Sequence, residues 1–369
     1  MKPVYRLLPL LSVFALFGCQ HPAPAPAPAT APALTNLHSP WDSTPVTLTD
    51  APYDCAPAPA IGPDITISGS LDDDKHHVSE DVKNAVMGES SAGLQALTAL
   101  TVHAADTYRA TGSRAAAQCT IDYLFAAASS RAMTGYMASD DARWEQNIAL
   151  RSFAIALLKV RGSNLETTLN VTAINQWMEG IVRDERSHWE HGRCGSNVCD
   201  IKDHRGLQTA MAAAAIAILA DDPGLFHWAV AQFHSAAGEI NARGFLHYDS
   251  RGKYAFMWNL ESAACMAQIA ELAEVNGEPL YNYHGGVFRL LVHTVALGVV
   301  SPEPYKSWTG KGQKHPKSIE PWEIEWASVF NRRFPDPVVT SLLQQIGPTG
   351  VDMWGGEPWD PEGDPGAEN

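Results

Sequence analysis

The stretch "DIKDHRGLQTAMAAAAIAILADDPGLFHWAV", residues 200–230, decides the fold. Positions 210–218 hold only alanine, methionine and isoleucine. A helix that is apolar on every side is buried all round rather than laid on a surface. Directly before it stand Lys202, Asp203, His204 and Arg205, four polar and mostly ionisable residues. Asp203 suits an N-cap and His204 a first-turn position.

Outward from this segment the chain reads as helices. Apolar residues recur at helical spacing from about Ser91 to a stop at Gly112, then over roughly 114–136, 141–161, 166–183 and 205–221. Further helices fit 225–242 before Gly244, 255–276 before Gly277, and 285–300, 321–333 and 336–346. "DITISGS" (64–70) is the one short strand candidate. About ten helices with Ala-rich inner faces and short loops predict an all-α fold of helical hairpins stacked in a ring or bundle. No repeat of fixed length marks a regular solenoid.

The 369 residues carry a formal charge of −15 and 45% hydrophobic residues. A large core is available, and nucleic acid is not the expected partner. Lys2 and Arg6 precede the apolar run "LLPLLSVFALFG", which ends at Cys19. That is the pattern of a signal peptide, too short to span and anchor. "LFGC" resembles the lipobox of bacterial lipoproteins, which implies a lipid on Cys19 and a place in the bacterial cell envelope, on the periplasmic face or at the outer membrane. "HPAPAPAPATAPA" follows as an extended, semi-rigid tether. The expected organisation is a signal peptide at 1–18, a Pro/Ala-rich linker at 19–60 and one monomeric domain at 61–369.

Six cysteines are present. Cys194 and Cys199 flank "GSNV" and are expected to close it as a disulfide in an exported chain. With Cys19 lipidated an odd number remains, so at least one is expected free and buried. The spacing lacks paired Cys-x-x-Cys blocks, and neither a metal nor another cofactor is expected.

Three clusters carry candidate chemistry. "RDERSHWEHGRC" (183–194) mixes arginines, histidines and Trp189 just before His204. "GFLHYDSRGKYAFMWN" (244–259) holds His247, Tyr248, Arg251, Lys253, Tyr254 and Trp258, with Tyr254 and Trp258 one turn apart on a helix face. "PYKSWTGKGQKHPKS" (304–318) carries Lys306, Lys311, Lys314 and Lys317 without one acid. Aromatic rings among bases suit sugars, whose C–H faces stack while their carboxylates pair with cations.

At these residues the chain resembles the mannuronate-specific alginate lyases of polysaccharide lyase family five. "DHR…LFHWAVAQFHSAAGEINARGFL", "AQIAELAEVNGEPL", "WTGKGQ" and "WEIEWASVF" have close counterparts there, while "DDDKHH" and "AAAQCTIDYLF" have weaker ones. The resemblance spans roughly 64–356. It implies an incomplete (α/α) toroid with a deep cleft, in which the polar residues 202–205 form a cleft wall at a helix N-terminus. It also implies β-elimination on an anionic polysaccharide. That reaction removes a proton alpha to a carboxylate, so the site must neutralise the carboxylate, supply a base and protonate the leaving oxygen.

Carried over residue by residue, His204 matches the family's catalytic histidine, Arg251 its arginine and Lys75 a cleft lysine. The family's tyrosine position is Trp258, and the asparagine before the histidine is Asp203. Tryptophan supplies neither acid nor base. Aspartate repels a substrate carboxylate unless it is protonated or paired with Arg205 or Lys202. Tyr254 is the nearest replacement hydroxyl and Tyr248 the next. Either the alignment is off by a turn, or the apparatus is rearranged, or activity is lost. The expected catalytic set is Tyr254, His204 and Arg251, with Lys75, Asp203, Arg205, Tyr248, Trp258 and Lys311 binding substrate. The alternatives are a polysaccharide-binding envelope lipoprotein that retains the cleft, and a glycoside hydrolase using Asp203 and Glu261.

Overall fold

In the computed structural model the described residues are 36–66, 80–165, 168–194, 197–198, 201–315, 318–347 and 350–359. The chain divides into the units Met1–Ala33 and Leu34–Asn369, and all described residues belong to the second. The signal-peptide expectation, Cys19, Lys75 and Cys199 lie outside the described residues.

Four helices are α1 (Glu80–Thr111), α2 (Arg114–Ser129), α3 (Asp140–Val160) and α4 (Thr168–His191). The next four are α5 (His204–Ala220), α6 (Pro223–Gly238), α7 (Ala255–Glu274) and α8 (Val287–Val300). The series ends with α9 (Glu303–Thr309), α10 (Ala327–Arg333) and α11 (Pro337–Ile346). A two-residue hairpin, β1 (Arg193–Cys194) and β2 (Asn197–Val198), joins α4 to α5.

The composition of each helix sets its layer. α5 is buried without a break from Gly206 to Ile218, and α7 from Asn259 to Ala273. Such helices need neighbours on every side, and they have them. α1, α3, α5 and α7 pack in succession as an inner row, while α2, α4 and α6 pack outside them. The result is an (α/α) toroid. Because each inner helix is followed by an antiparallel outer one, all inner helices begin at the same end. There the connections run over 129–140, 191–204 and 238–255, whereas at the opposite end 111–114 and 220–223 turn tightly and 160–168 is intermediate. Functional side chains gather on such longer loops.

Three expectations are corrected. The linker ends before residue 36, since Leu37, Trp41 and Ile61 are core residues and Thr49 pairs with Ser113. Pro/Ala composition hid this, because an extended segment buries isolated side chains with no periodicity to betray them. In "DITISGS" only Ile65 forms a described pairing, a single bridge to Met137, and 67–70 lie outside the described residues. The expected break after residue 183 is absent, and α4 runs on to His191.

Cys55 is joined to Cys119, their Cα atoms 5.8 Å apart, which staples the N-terminal segment to α2. Cys265 is free and buried. Replacing Cys55 and Cys119 together by alanine releases a link across 64 residues. We expect a loss of about 2–5 kcal/mol, read as a fall in Tm of roughly 3–7 °C. An unchanged melting curve would show that the link adds nothing to stability.

Candidate active site

The start of α5 is shaped by Gly206, where any Cβ would collide with the Ile201 carbonyl. The chain therefore folds tightly onto Asp203. This residue caps the helix, its Oδ1 accepting the Arg205 N–H at 3.0 Å. The same carboxylate takes the Arg205 guanidinium, with Nε 3.1 and 3.0 Å from its two oxygens. The aspartate that would have repelled a substrate carboxylate is thus charge-matched by Arg205. That arginine is in turn committed to Asp203 and lies 5.0 Å from the Trp189 ring centroid.

His204 is held from two directions. Its backbone N–H donates to Asp249 Oδ1 at 3.1 Å, and its ring Nδ1 lies 3.0 Å from the same oxygen. The other oxygen of Asp249 accepts the Ser262 hydroxyl at 2.6 Å. Against one imidazole face lies the Trp258 ring, with centroids 5.3 Å apart and planes within 7°. Nδ1 is therefore engaged by Asp249, and Nε2 is the ring nitrogen left to meet a ligand. Burial alone would lower the basicity of His204. The hydrogen bond to Asp249 and the charges of Asp249, Asp203 and Glu261 outweigh it and push the pKa up to about 9. At neutral pH the group is an imidazolium, with 12% of its side chain exposed.

Tyr254 precedes Trp258 by one turn, its ring centroid 5.7 Å away and tilted by 31°. Lys253 Nζ stands 5.4 Å from the Tyr254 ring. Below this wall Glu261 accepts Gln208 Nε2 at 2.7 Å and a hydrogen bond from Trp144 of α3. Burial raises the Glu261 pKa, while His204 and Arg151 oppose the shift. Asp203 and Glu261 each have their own partners, so they do not form the acid–base pair a hydrolase needs.

Tyr248 is flanked by Lys202 and Arg251, whose charged ends lie 5.6 and 5.7 Å from its ring centroid. Arg251 and Lys311 are exposed. The basic loop that carries Lys311 is clamped to the turn that carries Tyr254. Gln313 Nε2 donates to Gly252 O at 3.0 Å, the Phe256 N–H to Gln313 Oε1 at 3.2 Å, and the Lys314 N–H to Lys253 O at 2.7 Å. The expected residues other than Lys75 therefore lie on the 201–205 turn, the 248–258 segment and the loop clamped to it.

Sequence reasoning missed Asp249 and Trp144. Asp249 left one signal, as the only acid in residues 244–259. A lone carboxylate among bases and rings, with a histidine elsewhere needing an orienting partner, marks such a pair.

Residues 48–305 match the family described as Alginate lyase. The chain belongs to that family. As an alginate lyase family member it is a polysaccharide lyase, and the hydrolase and binding-module readings are set aside. A protein named Polysaccharide lyase from Stenotrophomonas maltophilia (strain K279a) is 25% identical over 310 residues, 83% of this chain and 90% of that protein. An alginate lyase from Cobetia marina is 22% identical over 218 residues, 58% of this chain and 57% of that protein. Among solved structures, alginate lyase A1-III from Sphingomonas species A1 superposes with a TM-score of 0.69 at 19% identity, covering 87% of this chain and 89% of that chain. A tetrasaccharide complex of A1-III gives 0.69 at 19% identity, covering 89% and 92%. These likenesses establish the (α/α) toroid as the shared fold.

Proposed function

We propose that this lyase cleaves a uronic-acid polymer of the alginate class by β-elimination. The observation that carries the reading is His204, fixed at the N-terminus of α5 by Asp249 and Trp258 and kept cationic at neutral pH. A carboxylate is a poor electron sink, so the C5 proton leaves only if the developing charge is met. The His204 imidazolium meets the carboxylate through Nε2, and Arg251 adds charge from the rim. Tyr254 takes the C5 proton and delivers a proton to O4 as the C4–O4 bond breaks and the C4=C5 bond forms. Trp258 replaces the family tyrosine as a wall, and Tyr254 supplies the hydroxyl from the preceding turn.

Polymannuronate and other polyuronates, offered as a panel to purified protein, test this. The expected product is unsaturated and absorbs in the ultraviolet. Reducing ends without that absorbance would mean hydrolysis, and retention of polymer without products would mean binding alone. Either result would overturn the proposal.

Export fits the same substrate. The basic start, the apolar run and "LFGC" support lipidation at Cys19, and a disulfide between Cys55 and Cys119 suits an oxidising compartment. Cys19→Ser is expected to release the protein from membranes into the soluble fraction. A wild-type protein already wholly soluble would refute the anchor.

A further inference from the structure

Trp308 is the most exposed of the eleven tryptophans, at 39%. One face of its ring is backed by the buried Phe245, with centroids 5.0 Å apart and planes within 18°. The Arg243 guanidinium lies 5.1 Å from the Trp308 centroid and 5.5 Å from that of Phe245. Since it is nearly equidistant from two rings that are themselves 5.0 Å apart, it sits beside the pair rather than over the outer indole face. Among the described residues, neither Phe245 nor Arg243 covers that face. A rigid, backed indole with a guanidinium at its edge is the arrangement that takes a sugar ring bearing a carboxylate, the C–H face on the indole and the carboxylate on the cation.

Its place in the fold gives the arrangement a purpose. α8 runs antiparallel to α7, so α9 and the loop after it return to the end where α5 and α7 begin. Trp308 lies in the last turn of α9, and Thr309 Oγ1 accepts Gln313 Nε2 at 2.9 Å. The same Gln313 side chain reaches Gly252 O at 3.0 Å, on the turn leading to Tyr254. Lys311 lies between Trp308 and Gln313 on an acid-free loop. Lys306 is matched by Glu303 at 2.8 Å and adds no net charge. In a chain of formal charge −15, positive charge is gathered here, where a polyanion needs it.

We propose that Trp308 and Arg243 form an outlying subsite for the anionic polysaccharide, gripping a uronate unit remote from the scissile bond and guiding the polymer past Lys311 toward His204. This rests on the substrate class proposed above. Its signature is dependence on chain length. Trp308→Ala and Arg243→Ala should each weaken the KM for long polymannuronate about three- to tenfold relative to that for a tetrasaccharide, the range of one stacked or charge-assisted contact. Polymer and tetrasaccharide changing together, or neither changing, would overturn the subsite. Retardation in native gels containing polymannuronate separates this from the lyase reading. A wild type that is retarded but makes no unsaturated product, with retardation reduced in Trp308→Ala, would sink the elimination and keep the subsite. Retardation unaffected by Trp308→Ala, or equal in gels of neutral dextran, would sink the subsite.

Discussion

His204→Ala should lower turnover of the preferred polyuronate by about 10²–10⁴-fold, the range expected when a group acting on the transition state is lost. The substitution removes the imidazolium that meets the substrate carboxylate and leaves the Asp249 carboxylate buried without its cation. A gentler variant isolates the charge. Asp249→Asn keeps the shape and an acceptor oxygen but removes the negative charge that helps outweigh burial. The His204 pKa should then fall from about 9 toward or below its ordinary 6.5. The sign follows from linkage. A histidine made more basic by folding contributes its full stability below the unfolded value of 6.5, and loses it as pH rises through about 9. Wild-type activity should therefore hold through neutral pH and fall on an alkaline limb near 9, where the imidazolium deprotonates. In Asp249→Asn that limb should move below neutrality. A pH–rate profile unchanged by Asp249→Asn would show that the pair does not set the charge used in catalysis.

The inner helices were legible because nothing in them disguises the pattern. Positions 210–218 hold no polar atom beyond the backbone, and the structure buries each of them. The last two turns of α4 were hidden for the opposite reason. "RDERSHWEH" reads as a solvated or cleft-facing segment, yet Glu185 points inward. Its Oε2 accepts Asn147 Nδ2 at 2.7 Å and Trp189 Nε1 at 3.0 Å, and its Oε1 meets Arg143. A buried charge satisfied by three partners on two helices looks, in sequence, like a surface charge. The site divides along the same line. Tyr254 and Trp258 share one helix face and are related by the helical period, which a sequence displays. His204 and Asp249 are 45 residues apart and meet only because α5 and α7 are neighbours. No local pattern records such a meeting, so the histidine was found and its partner was not.

Tyr254→Phe should abolish most elimination while leaving the fold intact, with a loss near the upper end of the 10²–10⁴ range because one hydroxyl serves as both base and acid. Phenylalanine keeps the ring that lies 5.7 Å from Trp258, so the wall survives and only an oxygen is lost. Other tyrosines are poorly placed to compensate. Tyr305 is fully buried among Phe245 and Phe256, and burial, with the nearby charge of Asp249, holds its pKa well above the ordinary tyrosine value. Tyr248 is half-buried between two cations and is the next hydroxyl to test. Trp258→Phe should act mainly on KM, because it trims the ring stacked on His204 and removes no proton carrier. A double variant makes the argument sharper. Tyr254→Phe combined with Trp258→Tyr moves the hydroxyl one turn along α7, to the position the resemblance assigns to the family tyrosine. It also places it on the residue that faces His204. Partial recovery of turnover would mean that the toroid accepts the proton carrier at either turn, and that this chain has shifted it rather than lost it. A loss of less than about tenfold in the single Tyr254→Phe variant, well under the acid–base range, would remove Tyr254 from the chemistry whatever the double variant does.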